Sequence, residues 1–67
     1  MLDKLRKALG KKVIIEFSDG EIYKGTLLQN VHEFQEVPDE FDVVSADGLH
    51  YSFGWASVRD IHSFDFA

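Results

Sequence analysis

The sequence has no cysteine. Disulfides and thiolate–metal sites are therefore excluded, and with them two of the staples on which small domains depend. Proline occurs once, at position 38, so almost nothing interrupts a strand or helix pattern elsewhere. No apolar run approaches the ~20 residues of a membrane helix, and the N-terminus lacks a signal-peptide core. Cations are scarce. Seven Lys and Arg against twelve Asp and Glu give a net charge of −5. The expectation is a soluble cytoplasmic protein. At 67 residues it forms one domain over 1–67, small enough that it needs either a dense aromatic core or self-association. Six Phe, two Tyr and one Trp supply the aromatics, and a hydrophobic content of 45% argues against disorder.

What is present is organised around Lys12 to Leu28. Val13, Ile15 and Phe17 alternate with polar residues, the period of a half-buried strand. Asp19-Gly20 then marks a hairpin turn, and a second strand follows. Parity decides the loop. A two-residue loop would set Ile15 opposite Lys24 and bring Lys24 and Thr26 onto the core face. A three-residue loop with a glycine bulge aligns Val13, Ile15 and Phe17 with Tyr23, Gly25 and Leu27, and burial selects it. The other face then carries Ile14, Ile22 and Leu28, which calls for partial cover. Gly25, inside a strand pattern, reads as the corner where the second strand bends.

The flanks complete the pattern. Residues 1–9 read as a short helix with Leu2, Leu5, Ala8 and Leu9 on one stripe and Gly10 as its stop. Residues 31–42 are acidic and irregular, with Glu33, Glu36, Asp39, Glu40 and Asp42 around Pro38. They read as a solvated loop without the spacing of a calcium site. Phe41 to Ala46 is a third strand, Asp47-Gly48 a second turn, and Leu49 to Phe53 a fourth strand. Gly54 to Val58 is a single helical turn, and Arg59 to Phe66 a fifth strand. The fold expected is mainly β: a short N-terminal helix, then a strongly bent five-stranded antiparallel small barrel over 12–66.

The series Val13, Ile15, Phe17, Asp19-Gly20, Tyr23, Gly25, Leu27 resembles the first motif of the Sm-like family. Tyr51 to Ile61 is similar to the strand, turn, strand pattern where Sm-like and Src-homology-3-like barrels close. The resemblance covers about residues 1–28 and 49–64. It implies a helix followed by a bent five-stranded barrel, and subunits that pair strand four with strand five of a neighbour. Two features depart from the RNA-binding members. The stretch Leu28 to Phe34 lacks their Asp and Asn spacing, and Phe53-Gly54 stands where they carry Arg-Gly. Their base-gripping and phosphate-pairing groups are therefore not carried over.

For function, no nucleophile–base pattern emerges from Ser18, Ser45, Ser52, Ser57 or Ser63 with the three scattered His, so an enzyme is not expected. Neither a cofactor, a metal nor a small-molecule substrate is implied. The first expectation is a binding or assembly module, a homo-oligomer built through barrel edge strands. Its candidate edge residues are Leu49, Tyr51, Phe53, Ile61, Ser63, Phe64 and Phe66, with the Ser63 amide facing the neighbour. The alternative is RNA binding. Residues 1–12 hold five cations against one acid, whereas the rest holds two against eleven. Lys4, Arg6, Lys7, Lys11 and Lys12 would then meet phosphates, and Tyr51 or Trp55 would stack on bases.

Overall fold

The computed structural model describes residues 1–30 and 40–67. Helix α1 spans Leu2–Lys7, and strands β1 (Lys12–Phe17) and β2 (Ile22–Asn30) follow. Next come β3 (Glu40–Val44), β4 (His50–Phe53), the one-turn helix α2 (Trp55–Val58) and β5 (Ile61–Phe66). The strands form one antiparallel sheet in the order β4-β3-β2-β1-β5. Among the described residues no helix is long and apolar enough to cross a membrane.

The first hairpin adopts the three-residue loop. Val13 pairs with Gly25 and Ile15 with Tyr23. Phe17 N–H donates to the Glu21 carbonyl (2.8 Å) and Gly20 N–H to the Phe17 carbonyl (2.9 Å), so Ser18, Asp19 and Gly20 form the loop. Gly20 takes φ +92°, and the Asp19 carboxylate accepts from Glu21 N–H at 3.0 Å. The second Asp-Gly repeats the device. Ser45 N–H bonds the Leu49 carbonyl at 2.9 Å, Gly48 sits at φ +87°, and the Ser45 hydroxyl donates to Asp47. That bond holds the Asp47 carboxyl below its usual range. In both turns glycine occupies the left-handed position that L side chains rarely adopt.

β2 serves two partners in succession. Its first half, through Thr26, pairs with β1, and its second half, from Thr26 onward, pairs with β3. Gly25 sits at this handover. A Cβ there would press into the Val44 carbonyl, 2.6 Å from its carbon and 2.9 Å from the Ser45 nitrogen. The glycine is thus required by close backbone approach at the place where the sequence puts the corner.

Leu5, Ala8, Val13, Ile15, Leu27 and Val43 are fully enclosed, joined by Phe17, Phe41 and Phe53. Phe53 is the hinge of the aromatic set, with its ring 5.3 Å from Phe17 and 5.6 Å from Phe41. α1 is too short to persist alone. It is held because Leu5 and Ala8 enter the core, with Leu2 and Leu9 packed beside them. Its exit is also tied to β2, since Gly10 N–H donates to the Leu27 carbonyl at 2.7 Å.

Three expectations need correction or limits. The sheet is open, not a closed barrel: among the described residues no ladder joins β4 to β5. β4 has only four residues, and α2 intervenes before β5, which takes β1 as its partner. The cover expected over the second face is only partial among the described residues: Ile14 is half-buried, whereas Ile22 and Leu28 are 61% and 42% exposed. Of the acidic stretch 31–42, residues 31–39 lie outside the described residues. Asp42 belongs to β3 and is buried, accepting from the Ser52 hydroxyl at 2.6 Å, with His50 Nδ1 at 3.9 Å.

Candidate assembly interface

An antiparallel ladder alternates between residues that exchange hydrogen bonds and residues that do not. Each strand therefore directs its backbone groups to its two neighbours in turn. On β5, Ala67 N–H donates to the Lys12 carbonyl at 3.0 Å. With the β1–β5 register, this makes Asp65 and Ser63 the bonded partners of Ile14 and Glu16. Phe64 and Phe66, opposite Ile15 and Val13, turn their N–H and C=O groups away from the sheet. Beyond the bulge between Glu16 and Phe17, Ser18 N–H bonds the Asp60 carbonyl at 2.8 Å, so Ile61 also faces outward. On β4, the Ser45–Leu49 bond makes Tyr51 and Phe53 the bonded partners of β3. His50 and Ser52 face outward.

This sorts the seven edge residues inferred from sequence. Ile61, Phe64 and Phe66 present free backbone groups among the described residues, with Ile61 and Phe64 half-buried and Phe66 58% exposed. Tyr51 and Phe53 do not: their backbones bond β3 and their side chains belong to the core side, Tyr51 stacked on Tyr23 at 4.8 Å. Leu49 lies in the turn before β4, exposed. Ser63 is a correction. Its amide faces Glu16 of its own sheet, because the bulge shifts the parity of β5 relative to the chain entering it. A proline at 63 would break the β1–β5 ladder within one chain. Sequence reasoning missed His50 and Ser52, although the three-residue loop at Ala46–Gly48 fixes their orientation.

The cations do not form one patch. Lys4 and Lys7 line a groove of about 250 Å³ with Phe64, Asp65 and Phe66, and Lys11 Nζ lies 5.6 Å from the centre of the Phe66 ring. Arg6 is exposed on α1. Lys12 lies instead with Lys24, Leu28 and His50 around a separate apolar groove. Trp55 opens α2, and its side chain lies outside the described residues.

No family model, curated protein or solved structure matches the chain. The reading of its edges therefore stands on the geometry alone.

At the opposite end of β5 the surface is acidic. Asp19, Glu21 and Asp60 line a cleft of about 230 Å³ together with Ser52 and Tyr23, with Arg59 the nearby cation in sequence. Tyr23 donates to Glu21, and this bond, with burial and the Glu21 charge, pushes its pKa up to about 12. Phenolate absorbance should therefore show a component rising near 12, absent in Tyr23→Phe and moved toward the ordinary value of about 10 in Glu21→Gln. Because the folded pKa is raised, this contact supports the fold below about 10 and is lost as pH rises through about 12. A component that stays near 12 in Glu21→Gln would mean that Glu21 is not its cause. Among the described residues no group of three or more His, Cys, Asp or Glu is placed to hold a metal.

Proposed function

We propose that this protein is a non-enzymatic binding or assembly module of Sm-like kind, self-associating through the free edges of its open sheet. The observation that carries this reading is that β4 and β5 end the sheet with outward N–H and C=O groups that no described residue pairs. Such an edge is a template for a further strand. The Sm-like resemblance also implies contact between subunits through end strands, although there strand four of one subunit meets strand five of the next.

The test uses the backbone rather than a side chain. Phe64→Pro removes one outward donor while leaving the β1–β5 bonds in place, the situation in which an edge strand tolerates proline. Phe64→Ala removes the same ring but keeps the amide. The expected result is a multimer for wild type and Phe64→Ala, and a folded single chain for Phe64→Pro. An unchanged multimer in Phe64→Pro would remove β5 from the interface.

A second reading is RNA binding, favoured by the gathering of Lys4, Lys7 and Lys11 around Phe64 and Phe66. Aromatic rings beside cations suit a single strand. It predicts RNA retention that falls steeply with salt and is lost in Lys4→Glu/Lys7→Glu. Retention indifferent to both would overturn it.

A further inference from the structure

Which edge meets which follows from the faces of the strands. Residues directly opposed in a ladder point their side chains to the same face of the joined sheet. On β5 the outward-bonding residues, Phe64 and Phe66, lie in line with Ile15 and Val13, hence on the core face. On β4 the outward-bonding residues, His50 and Ser52, lie on the face opposite Tyr51 and Phe53, the residues on the core side. A regular ladder between β4 of one chain and β5 of another would set the core face of one sheet against the outer face of the next. A ladder between two copies of β5 about a twofold axis joins core face to core face. β4 could also meet its own copy with matched faces, but it offers four residues where β5 offers six.

We infer that two copies of this chain join antiparallel through β5, with Phe64 opposite Phe64 of the second copy, to make a closed twofold dimer with one continuous sheet. This rests on the edge-assembly reading and specifies its partner surface. Charge supports this pairing and disfavours the neighbouring register. Lys4, Lys7 and Lys11 flank the Phe64–Phe66 end of β5, while Asp60, Asp19 and Glu21 flank the Ile61 end. Antiparallel pairing brings the basic end of each copy beside the acidic end of the other, where Arg59 precedes Asp60 in the chain. The register with Phe64 opposite Phe66 would place Asp65 directly against its own copy, and like charges directly opposed are destabilising. The register centred on Phe64 sets Ser63, whose hydroxyl donates to Glu16 of its own chain at 3.4 Å, against Asp65 instead, so that no carboxylate directly opposes its own copy. Both side chains are exposed in the single chain.

The absence of cysteine makes a clean test possible. In the centred register, position 63 of one copy and position 65 of the other form a non-bonded pair, with Cα atoms ~4.5 Å apart. That lies within disulfide reach. Ser63→Cys and Asp65→Cys chains, purified separately, mixed and oxidised, should give a cross-linked product composed almost wholly of one chain of each kind. Each variant oxidised alone should cross-link poorly. Wild-type mass is measured in parallel. If wild type is a multimer and the mixture yields no preferred heterodisulfide, the β5–β5 interface is overturned while edge assembly stands. If wild type is a single chain at micromolar concentration in low salt, both are overturned.

Discussion

Gly25→Ala should cost about 3 kcal/mol or more, at the upper end of penalties for overfilling a packed site. The added methyl has no rotamer to escape into. It meets the backbone of Val44 and Ser45, where β2 passes from β1 to β3. Relief requires the β2–β3 ladder to part at its Thr26–Val44 end, and Leu27 and Val43 beside it are both fully buried. The whole stability of a domain this size is roughly 0.05–0.15 kcal/mol per residue, about 3–10 kcal/mol in all, so the variant should lose from about a third to nearly all of it. Gly25→Val should be worse. Denaturant midpoints measure this directly, and an unchanged midpoint for Gly25→Ala would mean that β3 does not approach β2 as described.

Leu5→Ala should have the next largest effect, about 2–5 kcal/mol, in line with truncation of an enclosed leucine. For a chain this short that corresponds to a fall in Tm on the order of 10–30 °C. Leu5 is fully buried although α1 has only six helical residues. The helix therefore acts as one wall of the core, and removing residues 1–9 should be more damaging still. That truncation exposes the face under Leu5 and Ala8 and also deletes Leu2 and Leu9. Fully buried leucines are each worth roughly 1.5–3 kcal/mol as an upper estimate. Alanine is the best helix former, so neither Leu5→Ala nor Lys7→Ala, an exposed position on the same helix, loses helix propensity, and thermal melts of the two side by side isolate the loss of packing. Equal melts for both would show an undocked helix.

What the sequence makes legible is what depends on nearest neighbours. The alternation in Val13, Ile15 and Phe17 and the parity of a three-residue loop suffice to place β1 against β2 in the register observed. The leucine stripe of α1 and the two Asp-Gly turns are equally local. Burial of Asp42 was not legible, because it depends on Ser52 arriving across the β3–β4 ladder. The direction of the Ser63 amide was not legible either. It follows from a long-range pairing and from a bulge that inserts one residue into β5. The open sheet has the same origin: whether β4 reaches β5 depends on where α2 leaves the chain. The site is therefore less readable than the fold, because a free edge is defined by which pairings do not form.

Light-scattering mass of the wild-type chain, followed across concentration and salt, tests edge assembly most directly. A twofold dimer through β5 predicts twice the 7.7 kDa chain mass at micromolar concentration in low salt. Added salt should shift the dimer toward higher dissociation constants, as attraction between the basic and acidic ends is screened over about 8–10 Å. The strand pairing itself should persist at higher protein concentration. A mass of one chain at every concentration and salt would contradict it.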